Sequence, residues 1–91
     1  MVSEKVTVTN PSGFHLRPAG MFCEMAEGFS SKIKFKKGTS RDYNAKSVLS
    51  VLGAGIKKGD EIEIICEGDD EDEALMSLIE LVESGFGEWH S

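Results

Sequence analysis

The sequence contains little cysteine, histidine or proline, and it has no long apolar run. Of its 91 residues, two are cysteines, two are histidines and two are prolines. No stretch approaches the roughly 20 apolar residues that are needed to cross a bilayer, so we expect no membrane-spanning segment. The first residues also lack the basic-then-apolar pattern of a signal peptide, and we therefore expect a cytoplasmic protein.

The two cysteines do not form a motif. Cys23 and Cys66 lie far apart and outside any Cys-x-x-Cys pattern. In a chain without an export signal, such cysteines are expected to be reduced and buried, like small apolar residues. A zinc site needs several thiol or imidazole ligands close together, and the only histidines are His15 and His90. We therefore expect neither a metal ion nor another cofactor.

Basic side chains are absent from the last third of the chain. Residues 1–58 hold all ten lysines and arginines against four acidic residues, a net +6, whereas residues 59–91 hold twelve acidic residues and no basic one, a net −12. The overall charge of −6 argues against nucleic acid as a partner. The basic first segment can still attract an anionic ligand or an acidic protein surface.

The length and the apolar periodicity predict one small domain over residues 1–91, with one core and no deep internal active site. Alternation of apolar residues predicts four strands: around Val6 and Val8, around Ile33 and Phe35, from Arg41 to Asn44, and from Glu61 to Glu67. Apolar residues at steps of three and four predict three helices: from Leu16 to about Glu27, after Ser47, and after Asp72.

The order of the predicted elements is strand, helix, strand, strand, helix, strand, helix. Four short strands can form one antiparallel sheet, and helices on one side can bury its apolar face. The sequence therefore predicts an α+β fold, an open-faced β-sandwich in which three helices cover one face of a four-stranded sheet (βαββαβα). Gly85 and Gly87 are expected to end the last helix, and residues from about 86 to 91 are expected to be frayed.

The stretch from Gly13 to Ala19 holds the strongest candidate site. His15 lies between a predicted turn and the first helical residue, where free backbone N–H groups and the helix dipole favour an anion. Arg17 adds donors that suit phosphate oxygens, and Pro18 fixes the backbone of the first turn. This arrangement suits a phosphoryl group on an imidazole nitrogen. The alternative is a solvated capping histidine beside a chance arginine.

The same stretch resembles the active-site motif of the HPr family, the histidine-containing phosphocarriers of the bacterial sugar phosphotransferase system. The resemblance continues through Lys46-Ser47, the short apolar helix after them, Gly59-Asp60-Glu61-Ile62 and the last helix, and it covers about residues 4–86 in matching order. Two positions depart from the usual motif. Phe14 is bulkier than the common aliphatic residue, and Leu16 replaces a small or hydroxyl residue.

The resemblance implies a carrier that accelerates no net reaction alone. His15 would accept the phosphoryl group on Nδ1 from phosphorylated enzyme I and pass it to a sugar-specific enzyme IIA or IIB. Arg17 would steady the phosphoryl oxygens. The residues expected to support the site are Ser12, Leu16 and Pro18.

Ser47 corresponds to the family's regulatory serine, which an ATP-dependent HPr kinase/phosphorylase phosphorylates in many bacteria. The resemblance thereby implies this kinase and a transcription regulator as further partners. A phosphoserine adds a charge of about −1.5 to −2 and would repel an acidic partner surface. The alternative is a plain N-cap serine, which stabilises its helix by about 1 kcal/mol.

Apolar residues on the first two helices predict a docking surface for these partners. Its expected members are Leu16, Gly20, Val48, Leu49 and Leu52. The alternative is that these side chains face the core. We expect the protein to be a monomer.

Two other functions remain open at this point. A small histidine-dependent phosphatase would use the same His15 and Arg17, but it would need a general acid and a substrate pocket. A regulatory or nitrogen-branch homologue would act mainly as a signalling co-effector. A nitrogen-branch homologue would show the same motif, whereas relatives devoted to regulation through Ser47 usually lack the histidine, so the presence of His15 argues for transfer. His90, in the tail beside Trp89, is not expected to have a function.

Overall fold

The predicted strands and helices all form in the computed structural model, which describes residues 1–88. The strands are β1 (Val2–Thr7), β2 (Lys32–Lys37), β3 (Tyr43–Asn44) and β4 (Glu61–Glu67). The helices are α1 (Leu16–Glu27), α2 (Val48–Gly53) and α3 (Glu71–Glu83), and a short 3-10 turn (Gly85–Gly87) follows α3. The chain order β1–α1–β2–β3–α2–β4–α3 is the predicted one.

All four strands pair antiparallel in one sheet, in the order β1-β4-β2-β3. The register sets apolar residues opposite one another: Val6 faces Ile62, and Phe35 faces Ile64. These four side chains are buried, as the alternation predicts for the face that the helices cover. The predicted open-faced α+β sandwich is therefore confirmed.

The other face of the sheet is charged. Lys5 on β1 and Lys36 on β2 both lie opposite Glu63 on the central strand β4. The Lys36 ammonium is 3.8 Å from the Glu63 carboxylate. Such exposed pairs contribute little stability, in the range of about 0–1 kcal/mol. The half-buried Ile65, opposite Ser3 and Lys34, is an apolar residue of β4 on this otherwise polar face.

The core lies between the sheet and the helices. The buried residues of α1 recur at helical spacing, and so do those of α3; they are Ala19, Phe22 and Ala26 in α1 and Ala74, Leu78 and Val82 in α3. Burial of a large apolar side chain stabilises the fold by about 1.5–3 kcal/mol. The helical periodicity in the sequence thus identified the faces that pack on the sheet.

Both cysteines are free and buried, as predicted. Burial raises the pKa of the Cys66 thiol to about 11 and also raises the pKa of Cys23. Each side chain is therefore a neutral thiol at physiological pH. Among residues 1–88, none of the helices combines the length and the apolar character that crossing a bilayer requires. The described part of the chain also holds no cluster of three or more potential metal ligands among His, Cys, Asp and Glu.

Two strand boundaries differ from the predicted ones. β1 begins at Val2 and ends at Thr7, so Val8 lies past the end of the strand, although its side chain is fully buried. β3 contains only Tyr43 and Asn44 rather than the four residues that were predicted. Both strands lie at the edges of the sheet, where each pairs with only one neighbour. Strand ends there are less well marked by an alternating pattern.

The expected fraying of the tail is wrong for residues 86–88. Phe86 is completely buried, and its ring packs edge-on against Phe14 at 5.7 Å between centroids. The carboxylate of Glu88 accepts hydrogen bonds from Asn10 and Ser12. The segment is therefore held by core packing and by polar contacts. The rest of the tail, including Trp89 and His90, lies outside the described residues.

A single carboxylate fastens the loop between α1 and β2. Asp70 is the N-cap residue of α3, but its side chain does not cap that helix. It accepts hydrogen bonds instead from the backbone N–H groups of Ser30 and Ser31, at 2.9 and 3.0 Å, and from the Ser31 hydroxyl. These bonds hold the pKa of Asp70 at about 2, below its ordinary value of 3.8.

We expect Asp70→Asn to lower the free energy of unfolding at neutral pH, because the amide replaces one of the accepting oxygens by a donor. The carboxylate has a lower pKa in the folded state, so its contribution is complete above about pH 4. It is lost as the pH falls toward 2. Urea unfolding from pH 7 to pH 2 should show the wild-type and variant midpoints converging in that window. Asp69→Asn, in the adjacent exposed turn, is the matched control; an equal loss there would contradict the assignment.

Candidate functional site

A tight turn connects β1 to the candidate histidine. Gly13 closes the turn, since its N–H donates to the Asn10 carbonyl at 3.1 Å. Its φ is +62°, and a Cβ at this position would lie 2.5 Å from the Ile56 carbonyl oxygen. Only glycine fits so close to the loop between α2 and β4.

Phe14 anchors the residue next to the histidine. Its side chain is 4% exposed, and its ring lies 5.1 Å from Phe22 and 5.8 Å from Phe35, between centroids. Its backbone N–H donates to the Ile56 carbonyl at 3.0 Å. The bulk that departs from the usual motif therefore fills the centre of an aromatic cluster.

His15 is the N-cap residue of α1, as predicted, and its side chain is exposed. Its extended backbone lets its carbonyl accept the first helical bond from Ala19, at 2.8 Å. The imidazole makes no capping bond to the helix. The N–H groups of Leu16 and Arg17 precede the first intrahelical donor, and Pro18 has none. Two backbone donors at the positive end of the helix are thus available beside the imidazole.

Arg17 is exposed, but its guanidinium contacts the end of the described chain. Its Nη1 donates to the Phe86 carbonyl oxygen at 3.1 Å. Its Nη2 lies next to Gly87, 3.9 Å from where a Cβ would be. A guanidinium has five N–H donors, so most of them stay available to a second acceptor.

Glu88 joins the site, which sequence reasoning did not anticipate. Its two carboxylate oxygens accept from the Ser12 hydroxyl at 2.7 Å and from the Ser12 backbone N–H at 3.2 Å. The Asn10 amide donates both to Glu88, at 3.1 Å, and to the Gly13 carbonyl, at 2.7 Å. The Ser12 hydroxyl is the main cause that lowers the pKa of Glu88. No local pattern links residues 76 positions apart.

Ser47 caps α2, as predicted. Its side-chain oxygen accepts from the Ser50 N–H at 3.3 Å, and its carbonyl accepts from Val51. The neighbouring Lys46 ammonium donates to the Phe29 carbonyl at 2.7 Å, which holds the entrance of α2 to the end of α1. Ser47 itself is half-buried.

The predicted docking residues divide between exposed and half-buried positions. Leu16 is 65% exposed and Leu49 78%, while Val48 is 37% exposed. Leu52 and Gly20 are half-buried, and Leu52 packs partly against the core. The two helices that carry these residues contact each other. The exposed members thus lie on adjacent helices, one of them directly after His15.

Four clefts in the described part of the protein lie away from the candidate histidine. One of about 600 Å³ runs along β2 and β3 and is lined by residues that include Lys32, Tyr43 and Lys46. Three smaller ones lie along the open face and the β1 edge of the sheet. None of these four includes His15 or Arg17. The exposed side chain of His15 lies outside all four of them.

Comparison with known proteins agrees with this geometry. The family model "PTS-HPr: PTS HPr component phosphorylation site" matches residues 2–84. Phosphocarrier protein HPr of Treponema pallidum is 39% identical over 88 residues, 97% of this chain and 99% of the relative. Phosphocarrier protein NPr of Escherichia coli K12 is 36% identical over 87 residues, 96% of this chain and 97% of the relative.

Solved structures show the same fold. HPr from Thermoanaerobacter tengcongensis superposes with a TM-score of 0.93 at 37% identity, covering 99% of this chain and 100% of that one. A second structure from that organism, described as an HPr dimer, gives 0.76 at 38% identity, covering 97% and 100%. With the family model and these full-length relatives in agreement, the chain belongs to the HPr family of phosphocarrier proteins.

Proposed function

We propose that the protein carries a phosphoryl group on His15, taken from phosphorylated enzyme I and passed to an enzyme IIA or IIB. The observation that carries the proposal is the exposed imidazole at the N-cap of α1, beside two free backbone donors and Arg17. An anion bound there benefits from the N–H groups and from the helix dipole. A cytoplasmic location is part of this proposal.

The transfer of the phosphoryl group to His15 forms one bond and breaks one bond, and it needs no cofactor. The lone pair of Nδ1 in the neutral imidazole attacks phosphorus, and an N–P bond forms as the bond from phosphorus to the donor atom of enzyme I breaks. That bond's electron pair stays on the donor. The imidazole ring, now bearing the phosphoryl group, keeps its proton on Nε2 or loses it to water. The reverse sequence on an acceptor histidine or cysteine returns His15 to its starting state.

Arg17 can serve the phosphoryl group without leaving its present partner. One guanidinium nitrogen contacts the Phe86 carbonyl, and the remaining N–H donors suit phosphoryl oxygens. We infer that the C-terminal turn holds Arg17 near the reacting face and that the long side chain adjusts when the phosphoryl group arrives. Ser12 supports the site through its contacts to Glu88, and Pro18 through the fixed first turn of α1.

A second candidate is a signalling or nitrogen-branch homologue of the same family. The similarity to a phosphocarrier named NPr, at 36% identity, favours keeping it. A nitrogen-branch carrier would also use phosphohistidine at position 15 and would differ only in its partner. A signalling co-effector would act mainly through phosphorylated Ser47, and His15 would be secondary. The expected monomer also stays a prediction, because three similar structures are described as dimers.

We expect His15→Ala to abolish uptake of the phosphoryl group, because residues 1–88 contain no other histidine. The wild-type chain, incubated with enzyme I and phosphoenolpyruvate, should gain an acid-labile phosphate. His90→Ala removes the only other histidine and should leave uptake unchanged. Acid-labile phosphate on the His15→Ala variant would contradict the proposal.

We propose that partners dock on the exposed apolar residues of α1 and α2. Leu16, Val48 and Leu49 form this docking surface. Gly20 and Leu52, which are half-buried, are the other two expected members, and the helices α1 and α2 that carry all five residues contact each other. Apolar side chains beside a charged centre suit a transient complex.

Leu49→Ser should weaken binding to enzyme I about three- to tenfold, because an apolar side chain at the centre of such a contact is worth about 1 kcal/mol. The measurement is the KM of enzyme I for the carrier. Met76→Ser is the matched control, since Met76 is 63% exposed on α3, outside the docking surface. Both variants should unfold at wild-type urea concentrations. Equal changes of KM in the two variants would refute the assignment of the docking surface.

We propose that Ser47 is a regulatory phosphorylation site. A phosphoserine would put about −1.5 to −2 charge at the start of α2, next to Val48 and Leu49. The Lys46 ammonium is occupied by the Phe29 carbonyl, so the added charge faces the docking surface with little compensation. It would repel an acidic partner surface.

Incubation with ATP and an HPr kinase/phosphorylase should give an acid-stable phosphate that Ser47→Ala prevents. Ser50→Ala, one turn along α2, should not prevent it. The phosphorylated chain should then accept the phosphoryl group from enzyme I more slowly. Ser47→Ala should also lower the free energy of unfolding by about 1 kcal/mol through the lost cap. Labelling of Ser50 instead of Ser47, or no acid-stable labelling, would reject the assignment.

A further inference from the structure

The carboxylate of Glu88 is held firmly against the turn that leads to His15. Both of its oxygens accept hydrogen bonds: one from the Ser12 hydroxyl, the other from the Ser12 N–H and the Asn10 amide. Asn10 is 1% exposed, so this contact reaches into the protein interior. The negative charge of Glu88 is thereby fixed beside Ser12, which precedes His15 by three residues.

The guanidinium of Arg17 lies beside the same segment. It donates to Phe86 and contacts the position of Gly87, the two residues that precede Glu88. The attraction between Glu88 and Arg17 also helps to keep Glu88 ionised. The cation that would hold the phosphoryl oxygens therefore lies next to the segment that carries this carboxylate before any phosphoryl group arrives.

We propose that Glu88 is a positioning residue that limits how strongly Arg17 holds the phosphoryl group on His15. The inference rests on the proposed carrier function. The fixed carboxylate attracts Arg17 and opposes a phosphoryl group, which carries the same sign of charge. Both effects destabilise the phosphorylated form relative to the free one. A carrier benefits, because a phosphoryl group that is held less tightly passes more readily to the next protein.

The test is Glu88→Gln in the full-length chain. The glutamine oxygen can still accept from the Ser12 N–H, and its amide can donate to the Ser12 hydroxyl, so the turn stays tethered while the charge is lost. We expect the phosphoryl-transfer equilibrium between enzyme I and this chain to shift about two- to fivefold toward the phosphorylated chain. This is the range for one exposed charge pair.

Ionic strength separates the charge effect from a change in packing. In 1 M salt the screening length falls to about 3 Å. The phosphoryl-transfer equilibrium constant of Glu88→Gln should then approach that of the wild type. The matched control is Glu73→Gln, which removes the same charge near the start of α3. The Glu88 segment follows the other end of this helix, at Glu83, about 15 Å further along its axis. Glu73→Gln should leave the equilibrium unchanged at either salt concentration.

Three outcomes would overturn the inference. They are an unchanged equilibrium in Glu88→Gln at low salt, a shift toward the unphosphorylated chain, and a shift that persists in full at 1 M salt. A wild-type chain that takes up no phosphoryl group overturns the proposed function itself, and the inference falls with it. Normal uptake in the wild type with any of the three outcomes rejects the role of Glu88 alone.

Discussion

The exposed site depends on the burial of one aromatic ring. Phe14 lies between Phe22, Phe35 and Phe86, and so connects α1, the sheet and the C-terminal turn. Truncation of a buried phenylalanine to alanine typically costs about 3–5 kcal/mol, a large part of the about 5–15 kcal/mol that stabilises a typical domain. Because His15 is the next residue, the position of its backbone is fixed as well. The backbone that presents an exposed imidazole is thereby positioned by the packing of its buried neighbour.

Carboxylates from the acidic last third of the chain fasten the loops of the basic first part. Asp60 accepts from the Lys57 N–H at 2.8 Å and lies 3.1 Å from the Lys37 ammonium. Asp70 binds the loop before β2, and Glu88 binds the turn after β1. The strand order places β4 between β1 and β2, so the acidic segment returns through the middle of the basic one. The uneven charge distribution thus stabilises the architecture as well as shaping the surface.

The sequence predicted what local periodicity can encode. The bounds of α1 and β4 were right because the buried residues of each recur at a constant step within the element. Contacts between distant segments leave no such trace. Arg17 meets Phe86 across 69 residues, and Phe86 adopts a left-handed φ of +57°, which its residue type does not suggest. The glycines around Phe86 marked the end of α3 correctly, yet they gave no indication that the next side chain is buried.

The surroundings of Glu88 favour a carrier over a phosphatase. A phosphatase needs a group that protonates a leaving group or activates water. Glu88 is the carboxylate that the structure brings to the turn before His15, but both of its oxygens already accept hydrogen bonds. The same bonds lower its pKa, which makes it both a poor acid at neutral pH and a weak base. Water that reaches an open phosphohistidine would find little assistance from this carboxylate. The phosphoryl group would therefore persist until a protein acceptor brings its own nucleophile to the open site.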